Sequence, residues 1–284
     1  MFFISAFLFM QNIHASTLTS IKVVKVNNVV DFYKAIGSNT TIMLAPGDYH
    51  LNQIDSTIKN SYCNWSWVLF DEIYPNEKND EDMTLLISGL TNFTIKSDCK
   101  KGDSVRILTN RRSASVMAFK NCTSVNIDGV IFGHDIIKYI DPSDPWVSFC
   151  SGEVLKFYDC FDINIFNCDL FGCGTRGFLA HRCTNFKLEN SIIRECSYGA
   201  FGTFSSKNVI IKNSVFKNNT YRIFIEIEKT DGVKMINTRL QNNTQAEYTE
   251  TPYKVTDSKN IESSNLIFKD NDFNTDFLFY DKGK

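Results

Sequence analysis

The sequence predicts an all-β solenoid, a single-stranded parallel β-helix, and three observations carry that prediction. Segments repeat at a fixed interval: "CFDINIFNCDLFGCG" from Cys160, "CTNFKLENSIIRECS" from Cys183, "SKNVIIKNSVFKNNT" from Ser206 and "TDGVKMINTRLQNNT" from Thr230 align without gaps. Asn167, Asn190 and Asn213 stand 23 residues apart, Asn237 follows after 24 and Asn265 after 28. Apolar residues alternate inside each unit, the signature of a strand with one buried face. No apolar run here keeps a helical period.

Each coil reads as three short strands. The first precedes the unit, with Leu155 and Phe157, Phe178 and Ala180, Phe201 and Thr203, and Ile225 and Ile227 in equivalent places. The second carries Ile163 and Ile165, Phe186 and Leu188, Val209 and Ile211, and Val233 and Met235. The third carries Leu170, Ile193, Phe216 and Leu240. One coil cannot bury its inner face alone, but a stack can. The repeated Asn has a physical use, because it tolerates the left-handed conformation of a tight turn and its amide can bond the next coil. "CTSVNIDGVIFGHD" from Cys122 and "SKNIESSNLIFKDND" from Ser258 extend the pattern to about eight coils.

The N-terminal part departs from the repeat. "MFFISAFLFMQNIHAS" reads as an export signal over 1–15, too short to span a bilayer. The remainder, 16–284, reads as one exported domain without a membrane span. "VVDFYKAI" at 29–36 has the spacing of a short amphipathic helix, which with its flanks (28–40) caps the first coil. "TIMLAPGDYHL" (41–51) reads as strand, Pro-Gly turn and strand. Insertions at 52–82, containing Trp65 and Trp67, and at 133–152, containing Trp146, interrupt the period. Long insertions at solenoid turns are common places for function.

The helix, the Pro-Gly turn and the "NVIIKNSVF" coils resemble the pectate-lyase-like superfamily. That resemblance implies a right-handed helix and a saccharide groove over the first-strand sheet. It does not select an activity, since this fold hosts lyases, hydrolases, esterases and non-catalytic surface proteins. The "WIDH" and "RxPxxR" stretches of pectate lyases are missing, and so is the polygalacturonase residue set.

Over the first strands, outward positions form two columns. One holds Ala118, Lys156, Leu179, Gly202, Glu226 and Lys254; the other holds Lys120, Tyr158, His181, Phe204, Glu228 and Thr256. For β-elimination on a uronate, Tyr158 and His181 are the candidate proton-transfer pair, with Arg176 or Lys156 neutralising the carboxylate. For inverting hydrolysis the candidates are Glu226 and Glu228, about 7 Å apart on one face. Phe204, Glu153, His134 and Trp146 are the candidate substrate contacts. His134 has a plainer alternative as a structural hydrogen-bonder, and the whole face has one as a solvated sheet surface with paired charges. Trp65 and Trp67 read equally as a sugar platform or as a packed cap.

The expected partner is a polysaccharide or cell-surface glycan. The rival is a non-catalytic binding or surface-structural protein. A net charge of -2 argues against nucleic acid. No cofactor is predicted, a divalent cation such as calcium is left open, and a monomer is expected.

Nine cysteines remain to be placed. Cys150, Cys173 and Cys196 form one column at 23-residue spacing; Cys122, Cys160 and Cys183 form another. Stacked reduced thiols and one disulfide per column are both compatible with the coil spacing. A zinc site is disfavoured because a column does not converge on a tetrahedron. Gly172 to Gly177 spells G-x-G-x-x-G, but strand-like alternation follows it, so it reads as a turn rather than a dinucleotide site.

Overall fold

Alternation sends every second side chain of each unit inward, and the chain closes on those side chains. A computed structural model describes residues 20–66, 83–111, 114–135, 152–172, 175–246 and 251–273. The leader at 1–15, Trp67, Trp146, Cys150 and Cys173 lie outside the described residues. Each coil gives one strand to each of three sheets. The first sheet runs through Thr84–Ser88, Met117–Lys120, Leu155–Tyr158, Phe178–His181, Phe201–Phe204, Ile225–Glu228 and Tyr253–Thr256. The second sheet includes Thr123–Asp128, Phe161–Phe166, Thr184–Glu189, Lys207–Lys212, Asp231–Ile236 and Lys259–Ser264. The third is built from short strands such as Asp169–Phe171, Ile192–Arg194 and Val215–Lys217. Pairing between successive coils is parallel and in register, as in Ile163 with Phe186 and Phe186 with Val209.

All the alternating positions named above are buried. Their rings stack along the axis: Phe119 on Phe157 and Phe178 on Phe201, each with centroids 5.1 Å apart and planes within 6°. Such offset stacks add about 0.5–1.5 kcal/mol each beyond burial. At the C-terminal end, Phe273 packs on Phe224 at 5.3 Å and on Tyr253 at 5.5 Å.

The corners explain the asparagines. Asn167, Asn190, Asn213, Asn237 and Asn265 have φ between 50° and 53°, the left-handed conformation expected of them. Three further rows do the same: Asp159, Arg182, Ser205, Lys229 and Asp257; Ser124, Asp162, Asn185, Asn208 and Asn260; Glu195, Asn218, Asn242 and Asp270. Each coil therefore bends at four corners, not at the single one marked by a repeated Asn. Outer amides bridge some coils, with Asn237 Nδ2 donating to Asn213 Oδ1 at 3.1 Å and Asn265 Nδ2 to Asn237 Oδ1 at 3.0 Å.

Inside the corners run three polar columns. Ser206 Oγ accepts from Cys183 N (3.1 Å), Thr230 Oγ1 from Ser206 N (3.3 Å) and Ser258 Oγ from Thr230 N (3.0 Å). Ser191 Oγ accepts from Cys168 N at 3.1 Å, and Ser214 Oγ from Ser191 N at 3.3 Å. The third column passes from Cys196 through Asn219 and Asn243 to Asn271, each amide oxygen accepting from the backbone of the coil before. These bonds satisfy N–H groups that a tight corner turns inward. Cys122, Cys160 and Cys183 hold the first column's slot on earlier coils, buried and with free thiols. Their Sγ–H groups donate to backbone carbonyls, as Cys160 does to Tyr158 O at 3.1 Å. Cys168, which the 23-residue spacing leaves outside both cysteine columns, heads the Ser191 column. Burial pushes its thiol up to about 12.

The cap forms as expected. The helix spans Val29–Ala35, the Asn28 side chain accepts from Asp31 N at 2.8 Å, and Val29, Phe32 and Tyr33 are buried. Asn60 Nδ2 donates to Tyr33 O (2.7 Å) and Ile36 O (3.0 Å), closing its C-terminus. Strand Cys63–Ser66 pairs antiparallel to Thr84–Ser88, against the parallel rule elsewhere. Trp65 sits there half-buried, with Arg111 Cζ 4.1 Å from its ring centroid, so it packs as part of the cap. Gly177 opens the strand Phe178–His181, not a helix, which disposes of the dinucleotide motif. Among the described residues no helix is long and apolar enough to cross a membrane.

Candidate functional site

The two outward columns of the first sheet are in register as expected: Lys156, Leu179, Gly202, Glu226 and Lys254 in one, Tyr158, His181, Phe204 and Glu228 in the other. Their fates differ.

The charged residues at the middle of the first column are closed off from solvent, while Lys254 at its end stays partly exposed. Lys156 is 6% exposed, Glu153 5%, Arg176 8% and Glu226 7%. Lys156 Nζ lies 2.6 Å from Glu153 Oε2, and Arg176 Nη1 lies 3.8 Å from Glu153 Oε1. Arg176 Nη2 donates to Glu226 Oε2 at 2.5 Å, and Lys254 Nζ is 3.1 Å from Glu226 Oε1. Charges alternate along the row, so each cation lies against a carboxylate. Arg176 reaches Glu226 across the intervening coil, and glycine at 202 makes this feasible. A Cβ on Gly202 would meet Arg176 Cδ and Nε at 3.4 Å and the Phe204 ring at 2.8 Å. The guanidinium also lies over the Tyr198 ring, 4.5 Å from its centroid.

This placement corrects several expectations. Lys156 and Arg176 are committed to protein carboxylates rather than held ready for a substrate carboxylate. Glu153 is buried beneath the face instead of contacting substrate. Glu226 has a cation on each oxygen, so it is poorly placed as the acid or base of an inverting pair. Glu228 lies at the surface, 3.3 Å from Lys229. His134 is also internal, 4% exposed, and its Nε2 faces Ala114 O at 2.8 Å. To donate to that carbonyl it must carry its hydrogen on Nε2. Burial pushes its pKa down to about 4. It is a neutral structural group, not a substrate contact.

The second column keeps its surface. The rings of Tyr158 and His181 meet edge to face with centroids 5.7 Å apart, and those of His181 and Phe204 at 6.4 Å. All three are half-buried. Beside them Arg182 holds Asp159 with two bonds, Nε to Oδ1 at 2.6 Å and Nη2 to Oδ2 at 2.8 Å. This pair draws the Asp159 carboxyl below the usual carboxylate range. Arg182 Nη1 lies 3.3 Å from His181 Nε2. A guanidinium only donates, so in that contact Nε2 is the acceptor. In this arrangement Arg182 covers His181 Nε2. The sequence reading missed Arg182 and Asp159. The signal was available, because they stand 23 apart at the same corner of adjacent coils.

Comparison with known proteins agrees with this architecture. Residues 146–283 match the family model described as the right handed beta helix region. No curated protein sequence matches the chain. Solved structures with a similar trace include a pectate lyase mutant of Bacillus subtilis (10% identity, 87% of this chain and 81% of that one, TM-score 0.47). A pectin methylesterase of Erwinia chrysanthemi aligns at 10% identity over 91% of this chain and 92% of its own, TM-score 0.33. The receptor binding domain of the siphovirus 9NA tailspike aligns at 9% over 93% and 74%, TM-score 0.26. At such values the likenesses carry no argument about activity. The coil topology defines the class, a parallel β-helix, and the match over residues 146–283 is to a right handed beta helix region.

Proposed function

We propose that the chain binds an extended polysaccharide along the outer face of the first sheet, with Tyr158, His181 and Phe204 as the contact row. One observation carries this reading. Three successive coils place an aromatic or imidazole ring at the same register position, at a spacing set by the coil rise. Sugar rings present apolar faces that stack on such groups. The apolar leader read at 1–15 fits a ligand met outside the cell.

A second reading, β-elimination on a uronate, has the Tyr158–His181 contact in its favour. Arg182 on Nε2 counts against His181 as the base. Inverting hydrolysis loses support because Glu226 is held at both oxygens.

The test is affinity electrophoresis of the purified protein through gels holding uronate-rich or neutral polysaccharides. In parallel, absorbance near ~235 nm, where elimination products absorb, and reducing ends are followed. Retardation by at least one polysaccharide is expected. Free migration in every gel, with both turnover signals flat, would defeat the proposal.

A further inference from the structure

The second sheet carries a groove on its outer face, on a different side of the coil from the aromatic row. Its volume is about 380 Å³. One wall is the corner row Asp162, Asn185 and Asn208; the other is the outward strand row Asn126 and Asn164, continued by Lys187. These side chains come from four successive coils.

Their hydrogen bonds leave capacity unspent. Asn208 Nδ2 donates to Asn185 Oδ1 at 2.8 Å, and Asn185 Nδ2 to Asp162 Oδ1 at 2.7 Å. Across the groove, Asn164 Nδ2 donates to Asn126 Oδ1 at 3.2 Å. An amide has two N–H donors and an oxygen with two lone pairs. Each bond in the chain uses one hydrogen of the donor and one lone pair of the acceptor. Every asparagine in the chain thus retains donor or acceptor capacity, repeated once per coil at about 4.8 Å along the axis. Charge is nearly cancelled here. Lys187 Nζ is 2.5 Å from Glu189 Oε2 and 5.3 Å from the Phe166 ring centroid. The remaining charge is Asp162, which disfavours an anionic ligand.

We propose that this groove is a second binding site, for an uncharged linear glycan lying along the helix axis. Hydroxyls both donate and accept, which matches a line of amides better than it matches a row of fixed charges. The chemistry differs from that of the aromatic row. The site stands on its own residues, whatever the fate of the first face.

The experiment uses the full chain and soluble galactomannan and xylan oligosaccharides as probes, followed by calorimetry. Asn185→Gly and Asn208→Gly remove amides while preserving the left-handed corner, and Asn164→Ala removes one on the strand. The triple variant should weaken binding of at least one probe tenfold or more, whereas Asn237→Gly, at an exposed left-handed corner outside both faces, should leave that binding intact. Should the triple variant fail to fold, the side-chain amide resonances of Asn164, Asn185 and Asn208 in the unaltered protein should shift on titration. Failure of every neutral probe to bind would overturn the proposal. So would binding that survives the triple variant, binding lost equally in Asn237→Gly, or a titration that leaves those resonances unmoved.

Discussion

Two rows run side by side on one sheet face, two residues apart in every strand, and they are unlike. Lys156 and Glu226, joined by Glu153 and Arg176, close on one another beneath the surface, with the partly exposed Lys254 paired to Glu226 at the end of the row. Tyr158, His181 and Phe204 keep a surface of their own. By residue type, the charged row looks the more catalytic. By burial and pairing, it is structural. Charge marks function only where its partner is absent from the protein, and here the partners are present.

The comparison can be broken most forcefully at Arg176. Arg176→Ala would leave Glu153 and Glu226 buried short of a cation. The expected loss is about 3–5 kcal/mol of stability in urea unfolding, the usual range for one partner of a buried pair. A loss within ~0.5 kcal/mol, the range of an exposed site, would mean that the row is open.

Acid offers the next largest effect. His134 has a folded pKa near 4 against an ordinary value of 6.5. It is neutral in both states above the unfolded value, so its contribution is fully present there. As pH falls through that window the unfolded chain takes the proton first, and stability drains away, by roughly 3 kcal/mol at most. Unfolding curves from pH 7 to 4 should show this slope, and His134→Gln should flatten it.

Asn243 sharpens the contrast between inside and outside. It is fully buried, donates to Phe216 O at 3.0 Å and accepts from Asn219 Nδ2 at 2.9 Å. Asn243→Ala strands those groups and should cost about 2 kcal/mol in thermal or urea unfolding. Asn237→Gly, which keeps the left-handed corner at an exposed asparagine, should cost much less.

The repeat exposed the fold in the sequence, because stacking in register requires equivalent residues at equivalent places. The candidate site was legible only in part. Both outward columns could be drawn from strand parity, but parity does not report what lies over a residue. Arg176 reaches Glu226 across one intervening coil, over a glycine, a contact no single-coil ruler finds. Three of the four left-handed corner rows were hidden because they mix Asp, Ser, Lys, Arg and Glu with Asn. The inner columns were hidden for a related reason. Ser206, Thr230 and Ser258 continue the place of Cys183 by doing the same bonding job with a different atom.

The central claim is that the aromatic row binds and the ionic row holds the sheet. The direct measurement takes a polysaccharide that retards the protein and determines its affinity and the melting temperature for Phe204→Ala and Tyr158→Ala. The account predicts about a tenfold loss of affinity in each, ~1.4 kcal/mol, with the melting temperature nearly unchanged. Unchanged affinity in both variants, with the protein still folded, would contradict it.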